Sequence, residues 1–87
     1  MNQGGSGRDL AGAMLSYADL AGVDLSGANL AGATLRDSNL SGAVLVGADL
    51  TNADLSRTDL TNADLRNADL AGATIKDANL EGAKLDP

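Results

Sequence analysis

Residues 48–70 read ADLTNADLSRTDLTNADLRNADL. Leu50, Leu55, Leu60, Leu65 and Leu70 recur every five residues, each preceded by Asp and each Asp by Ala or, once, by Thr58. The beat continues outward without an insertion. Leu10, Leu15, Leu20, Leu25, Leu30, Leu35, Leu40 and Leu45 keep it before this stretch, and Ile75, Leu80 and Leu85 keep it afterwards. All fifteen leucines of the chain and its one isoleucine fall on the beat. These sixteen residues are the candidate structural core.

A period of five suits neither standard element. On an α-helix five residues advance by ~500°, so the leucines would wind around every face. On an unbroken strand five is odd, so successive leucines would point to opposite sides. The position two after each leucine is Gly in eight pentads and Asn in three (Asn52, Asn62 and Asn67), residues that tolerate positive φ in a tight turn. Two before each leucine stands Ala in twelve pentads, with Arg8, Val23, Ser38 and Thr58 as exceptions. The chain is therefore expected to bend at every pentad and turn each leucine toward one common axis, as stacked short repeats do in a solenoid.

A slower period sets the size of the coil. Residues 28–47, ANLAGATLRDSNLSGAVLVG, match residues 68–87, ADLAGATIKDANLEGAKLDP, at twelve of twenty positions, forty residues apart. Two pentads per turn would leave no room for leucines inside. Four pentads per turn makes the offset two turns and the sixteen pentads four coils.

Repeats such as ADLTN, ADLRN and ANLAG, of the form A(D/N)LXX, resemble the pentapeptide-repeat family over residues 8–87. The resemblance implies an all-β fold, a right-handed quadrilateral β-helix, with the central residue and the Ala two before it inside. At strand spacing of ~4.8 Å the four coils would make a stub about 20 Å tall. Residues 1–7, MNQGGSG, lie off the repeat and read as a flexible lead-in or an expression remnant. Gly4-Gly5-Ser6-Gly7 lacks the Lys and helix of a phosphate loop.

Composition narrows the chemistry. The 87 residues make one domain and contain no Cys, His, Trp or Phe, which removes thiol and imidazole catalysis, disulfides and His-based metal sites. No cofactor is expected. The longest apolar run, residues 43–46, is far too short to span a membrane, and the cytoplasm is the default location. Net charge is −6, which disfavours nucleic acid and keeps an Ala/Leu/Gly-rich surface in solution.

Asp49, Asp54, Asp59 and Asp64 are the densest acidic feature, but four pentads per turn sends them to four different faces. They then cannot converge on a metal or act as an acid–base pair. Asp49 and Asp69 stack on one face, a column that could bind Ca²⁺ weakly; the resemblance implies instead that Asp or Asn at this position bonds neighbouring backbone or stands in water. Asp37, Arg57 and Asp77 form a charge ladder on the second face, beside Arg36 and Lys76. Val44 and Val46 occupy outward positions where neighbouring pentads are polar, as do Met14 and Tyr17 on another face, so each pair is a candidate contact patch.

No nucleophile–base pair is present, and enzyme activity is not expected. The function read from the chain is a non-catalytic structural or protein-interaction module with a protein partner. Uncapped coils at both ends also suggest an end-to-end homodimer. One alternative is DNA mimicry toward a topoisomerase such as DNA gyrase, as in quinolone-resistance members of the family. Cations at Arg36, Arg57, Arg66 and Lys76 and the short height depart from that pattern. Another alternative is a designed or excised scaffold.

Overall fold

The structure of the chain, a computed structural model, describes residues 7–86. Residues 1–6 of the proposed lead-in, and Pro87, lie outside the described residues. Gly7 takes part in the first coil: its φ is 66° and its N–H donates to the Ser26 carbonyl at 2.8 Å.

Backbone pairing measures the coil. Asp9 bridges Asn29, Asn29 bridges Asp49 and Asp49 bridges Asp69, each in parallel and each twenty residues further on. Three more columns run through Met14, Thr34, Asp54 and Thr74, through Asp19, Asn39, Asp59 and Asn79, and through Asp24, Val44, Asp64 and Lys84. Four pentads therefore make one turn, and residues 7–86 make four coils. The first face comprises residues 8–12, 28–32, 48–52 and 68–72. The second comprises 13–17, 33–37, 53–57 and 73–77, and the third 18–22, 38–42, 58–62 and 78–82. The fourth comprises 23–27, 43–47, 63–67 and 83–86.

The pentads of the second coil and the first three of the third repeat one hydrogen-bond set. In 28–32, Asn29 N–H donates to Arg8 O of the preceding coil (2.8 Å), while Leu30 N–H and Gly32 N–H donate to Asp49 O (2.7 Å) and Thr51 O (2.8 Å) of the next. Ala33 N–H closes the corner on Leu30 O at 3.0 Å. Main-chain groups thus link every coil to its neighbours, which is how so irregular a backbone satisfies its donors and acceptors.

The corner has the form of a type II turn, whose third residue needs positive φ. The first fifteen pentads each supply one, and Gly7 supplies another: the sixteen residues spaced by five from Gly7 to Gly82 have φ between 56° and 74°.

Leu25 through Leu65 on the beat are buried, together with Ala28, Ala33, Ala43, Ala48, Ala53 and Ala63. Coils above and below cover Leu30 through Leu65, a burial worth about 1.5–3 kcal/mol apiece. Leu10, Leu15, Leu20, Leu70 and Leu80 are partly buried against this core, whereas Ile75 and Leu85 are 47% and 51% exposed. Among the described residues no helix is long and apolar enough to cross a membrane.

Candidate functional site: the second face

Carboxylates dominate the charge of the surface. Asp or Asn precedes the central leucine in eleven pentads. In all eleven, Oδ1 accepts the backbone N–H two residues on, as Asp49 does from Thr51 (3.0 Å), Asp54 from Ser56 (3.0 Å), Asp59 from Thr61 (3.0 Å), Asp64 from Arg66 (3.2 Å) and Asp69 from Ala71 (3.0 Å). This is the Asx turn, a side chain substituting for backbone at a corner. Thr51, Ser56 and Thr61 add hydroxyl bonds to the same oxygens at 2.7, 2.6 and 2.7 Å.

Those donors favour the ionised form. The Thr51 backbone and then its hydroxyl hold the Asp49 carboxyl below its ordinary range, and Thr61 does the same for Asp59. For Asp54 the Ser56 hydroxyl leads. Arg66 grips Asp64 through Nε (2.8 Å) and Nη2 (2.6 Å) and lowers its pKa to about 2. A general acid or base working near neutrality needs the opposite shift. Asp49, Asp54, Asp59 and Asp64 stand on four faces, and only Asp49 and Asp69 are brought together, one coil apart. No group of three His, Cys, Asp or Glu side chains among the described residues could hold a metal ion.

Val44 and Val46 are half-buried, not exposed. Both lie in the second coil, where residues of the first and third coils, Asp24 and Asp64 about Val44 and Ser26 and Arg66 about Val46, flank them. The large exposed apolar side chains beside Ile75 and Leu85 are Met14 (86%) and Tyr17 (78%).

Tyr17 points to what distinguishes this chain. Among the described residues, twelve of the sixteen positive-φ positions are Gly or Asn, and the four that are neither are Tyr17, Asp37, Arg57 and Asp77. All four stack on one corner of the second face, twenty residues apart. A side chain in this conformation costs about 1 kcal/mol against Gly, so the corner carries functional groups where the other three corners carry Gly or Asn.

The corner is braced on both sides of the backbone. Outside, Arg57 forks onto Asp37, Nε to Oδ1 at 2.8 Å and Nη2 to Oδ2 at 2.9 Å, and Arg36 reaches Asp54 at 3.4 Å. The Arg57 fork lowers the Asp37 pKa, with a smaller part from the Tyr17 hydroxyl. Inside, Ser38 and Thr58 fill the positions that hold Ala elsewhere, and both hydroxyls donate to Leu35 O, Thr58 at 2.7 Å. That carbonyl belongs to the Leu35–Ser38 turn containing Asp37. In the sequence Tyr17 stands apart from the ladder, and Ser38 and Thr58 stand out merely as exceptions to Ala. The signal uniting them lies at twenty-residue spacing, at the position two after the leucine.

Charge singles out the same face. The second face holds Arg36, Arg57 and Lys76 against Asp37, Asp54 and Asp77, a net of zero. The first, third and fourth faces carry −2, −3 and −1, which together make the total of −6.

Pentapeptide repeats match the chain in eight copies over residues 7–32, 28–67 and 48–86. No curated protein matches it. Among solved structures it is similar to a pentapeptide repeat protein of the Arabidopsis thaliana thylakoid lumen, with 37% identity, a TM-score of 0.93 and coverage of 95% of this chain and 57% of that one. It is also similar to Rfr23, a pentapeptide repeat protein of the cyanobacterium Cyanothece 51142, with 36% identity, a TM-score of 0.64 and coverage of 91% and 57%. A third similar structure is QnrB1, a plasmid-mediated fluoroquinolone resistance protein, with 31% identity, a TM-score of 0.63 and coverage of 84% and 37%. The chain thus spans a little over half the length of the first two and about a third of QnrB1. Eight matched copies, the twenty-residue bridging and the sixteen corners agree: the chain belongs to the pentapeptide repeat family.

Proposed function

We propose that the chain is a non-catalytic module that binds a protein partner, built as a right-handed, four-sided β-helix, and that the second face makes the contact. The observation that carries this reading is the corner Tyr17–Asp37–Arg57–Asp77. Four side chains there hold a conformation that Gly or Asn holds on the other three corners. Strain retained at a surface is a mark of use. The same face offers an exposed Tyr and two Arg, residue types enriched in protein interfaces. Asp54 lies on this face, and Asp49 and Asp69 on the adjoining first face are proposed flanking contacts; Asp59 stands on the third face, and Asp64, Val44 and Val46 stand on the fourth, opposite the second. The cytoplasm is the proposed compartment, which cell fractionation checks.

The test compares two triple variants in capture of bound protein. Tyr17→Ala, Arg57→Ala and Lys76→Ala together remove the second-face groups. Asp19→Ala, Asp59→Ala and Glu81→Ala remove the charges of the third face. The reading expects the first set to abolish capture and the second to leave most of it; the reverse order sinks it.

Two other readings have support of their own. The similarity to QnrB1 and the net charge of −6 favour a DNA mimic acting on a topoisomerase such as DNA gyrase. Inhibition or protection in a gyrase supercoiling assay at tens of micromolar supports that reading, and no effect discards it. The exposed Ile75 and Leu85 favour end-to-end pairing of two copies, for which substituting both by Ser abolishes association.

A further inference from the structure

We infer that the second face is self-complementary and that its partner is a second copy of this chain, docked side by side with the coils running in opposite directions. This deepens the reading of that face as the contact surface and commits it to one occupant. Charge register points to this arrangement. A two-fold axis between the second and third coils sets Asp37 of each copy opposite Arg57 of the other. Tyr17 then faces Asp77, Arg36 faces Ser56, Lys76 faces Ser16 and Asp54 faces Thr34. No like charges meet at any rung. In the parallel alternative the axis runs along the coils and reverses the order of residues along each strand, so this corner of one copy faces the far edge of the other and Asp37 meets no Arg57.

The donors and acceptors suffice for both duties. Arg57 carries five N–H groups and directs Nε and Nη2 at Asp37 of its own chain. The two carboxylate oxygens of Asp37 accept about four bonds in all. The pair can thus close a four-membered ring of alternating charge across the axis. The other three faces carry −2, −3 and −1, so like copies repel through each of them. An isologous contact of this kind closes on itself and stops at two copies. One side of four coils is smaller than the ~800 Å² per partner of a standard interface, which places the dimer in the weak, transient class.

The experiment is sedimentation equilibrium of the purified chain in low salt, up to about millimolar concentration, with its charge-reversal variants. The wild-type chain is expected to dimerise. Arg57→Asp alone and Asp37→Arg alone each place like charges across the axis and are expected to weaken association by about tenfold or more. Mixing the two single variants pairs opposite charges at both rungs and restores dimerisation, as does the double swap in one chain. Ser16→Lys, opposite Lys76, weakens the dimer without touching the Arg57–Asp37 pair, so the conclusion stands even if the single reversals unfold. A chain that stays monomeric overturns the inference while leaving face-dependent capture of another protein intact. Dimerisation insensitive to these substitutions also overturns it, since the copies then meet elsewhere. Loss of rescue in the mixture contradicts the antiparallel register.

Discussion

Arg57 sits one coil beyond Asp37 and forks onto it at 2.8 and 2.9 Å, although both residues hold a left-handed backbone, φ 56° and 59°. The twenty-residue coil makes this possible, because it stacks equivalent corners at strand spacing. A charge pair that lies twenty residues apart in the chain becomes an adjacent pair on the surface.

The corner predicts a trade between stability and contact. Tyr17→Gly relieves one left-handed side chain and is expected to stabilise the fold by about 0.5–1 kcal/mol in urea titration. The converse holds at the glycine corners, where Gly32→Ala is expected to cost about 1 kcal/mol. Gly72→Ala should cost more, because a Cβ there collides with the Asn52 side-chain oxygen and forces that amide to swing aside, whereas the space around Gly32 is open.

Core position decides the next prediction. Leu50 has no exposed surface and is covered by coils on both sides, so Leu50→Ala is expected to cost about 2–5 kcal/mol. Leu85 is 51% exposed, and Leu85→Ala should cost about 1 kcal/mol or less. Equal losses in denaturant titration contradict the assignment of the leucines to a single covered axis.

Thr58 tests the inner brace. Its methyl is buried and its hydroxyl donates to Leu35 O at 2.7 Å. Thr58→Val keeps the shape and removes the donor, for an expected loss of about 1 kcal/mol. Leu35 O still accepts Ser38 N–H at 3.1 Å, which limits the damage.

Acid stability follows from the Asx turns. The carboxyls of Asp24, Asp37, Asp49, Asp54 and Asp59 are held below the ordinary value and that of Asp64 at about 2. An unfolded Asp titrates near ~3.9. Folded values are depressed, so these groups contribute their full stabilisation above that value and lose it as pH falls toward about 2. Melting followed by circular dichroism should give a midpoint that is flat from about pH 7 to 5 and falls steeply below about pH 4. A midpoint rising on acidification contradicts the turn bonds.

The axis of leucines was legible in the chain because one residue type at one spacing excludes helix and strand together. The coil length was legible too, from the likeness between residues 28–47 and 68–87. The special corner was harder to see. Tyr17, Asp37, Arg57 and Asp77 share no chemistry and no local motif, and only their common backbone angle unites them. Outward positions in the sequence suggest exposure for Val44 and Val46, yet side chains one coil away on either side shield them by half. Tyr17, in the first coil, has a neighbouring coil on one side only.

Amide hydrogen exchange of the chain, free and bound to whatever it captures, tests most directly whether the second face is the contact surface. Slowed exchange confined to residues 13–17, 33–37, 53–57 and 73–77 is the predicted result. Slowing centred on residues 18–22, 38–42, 58–62 and 78–82, with the second face unchanged, would contradict it.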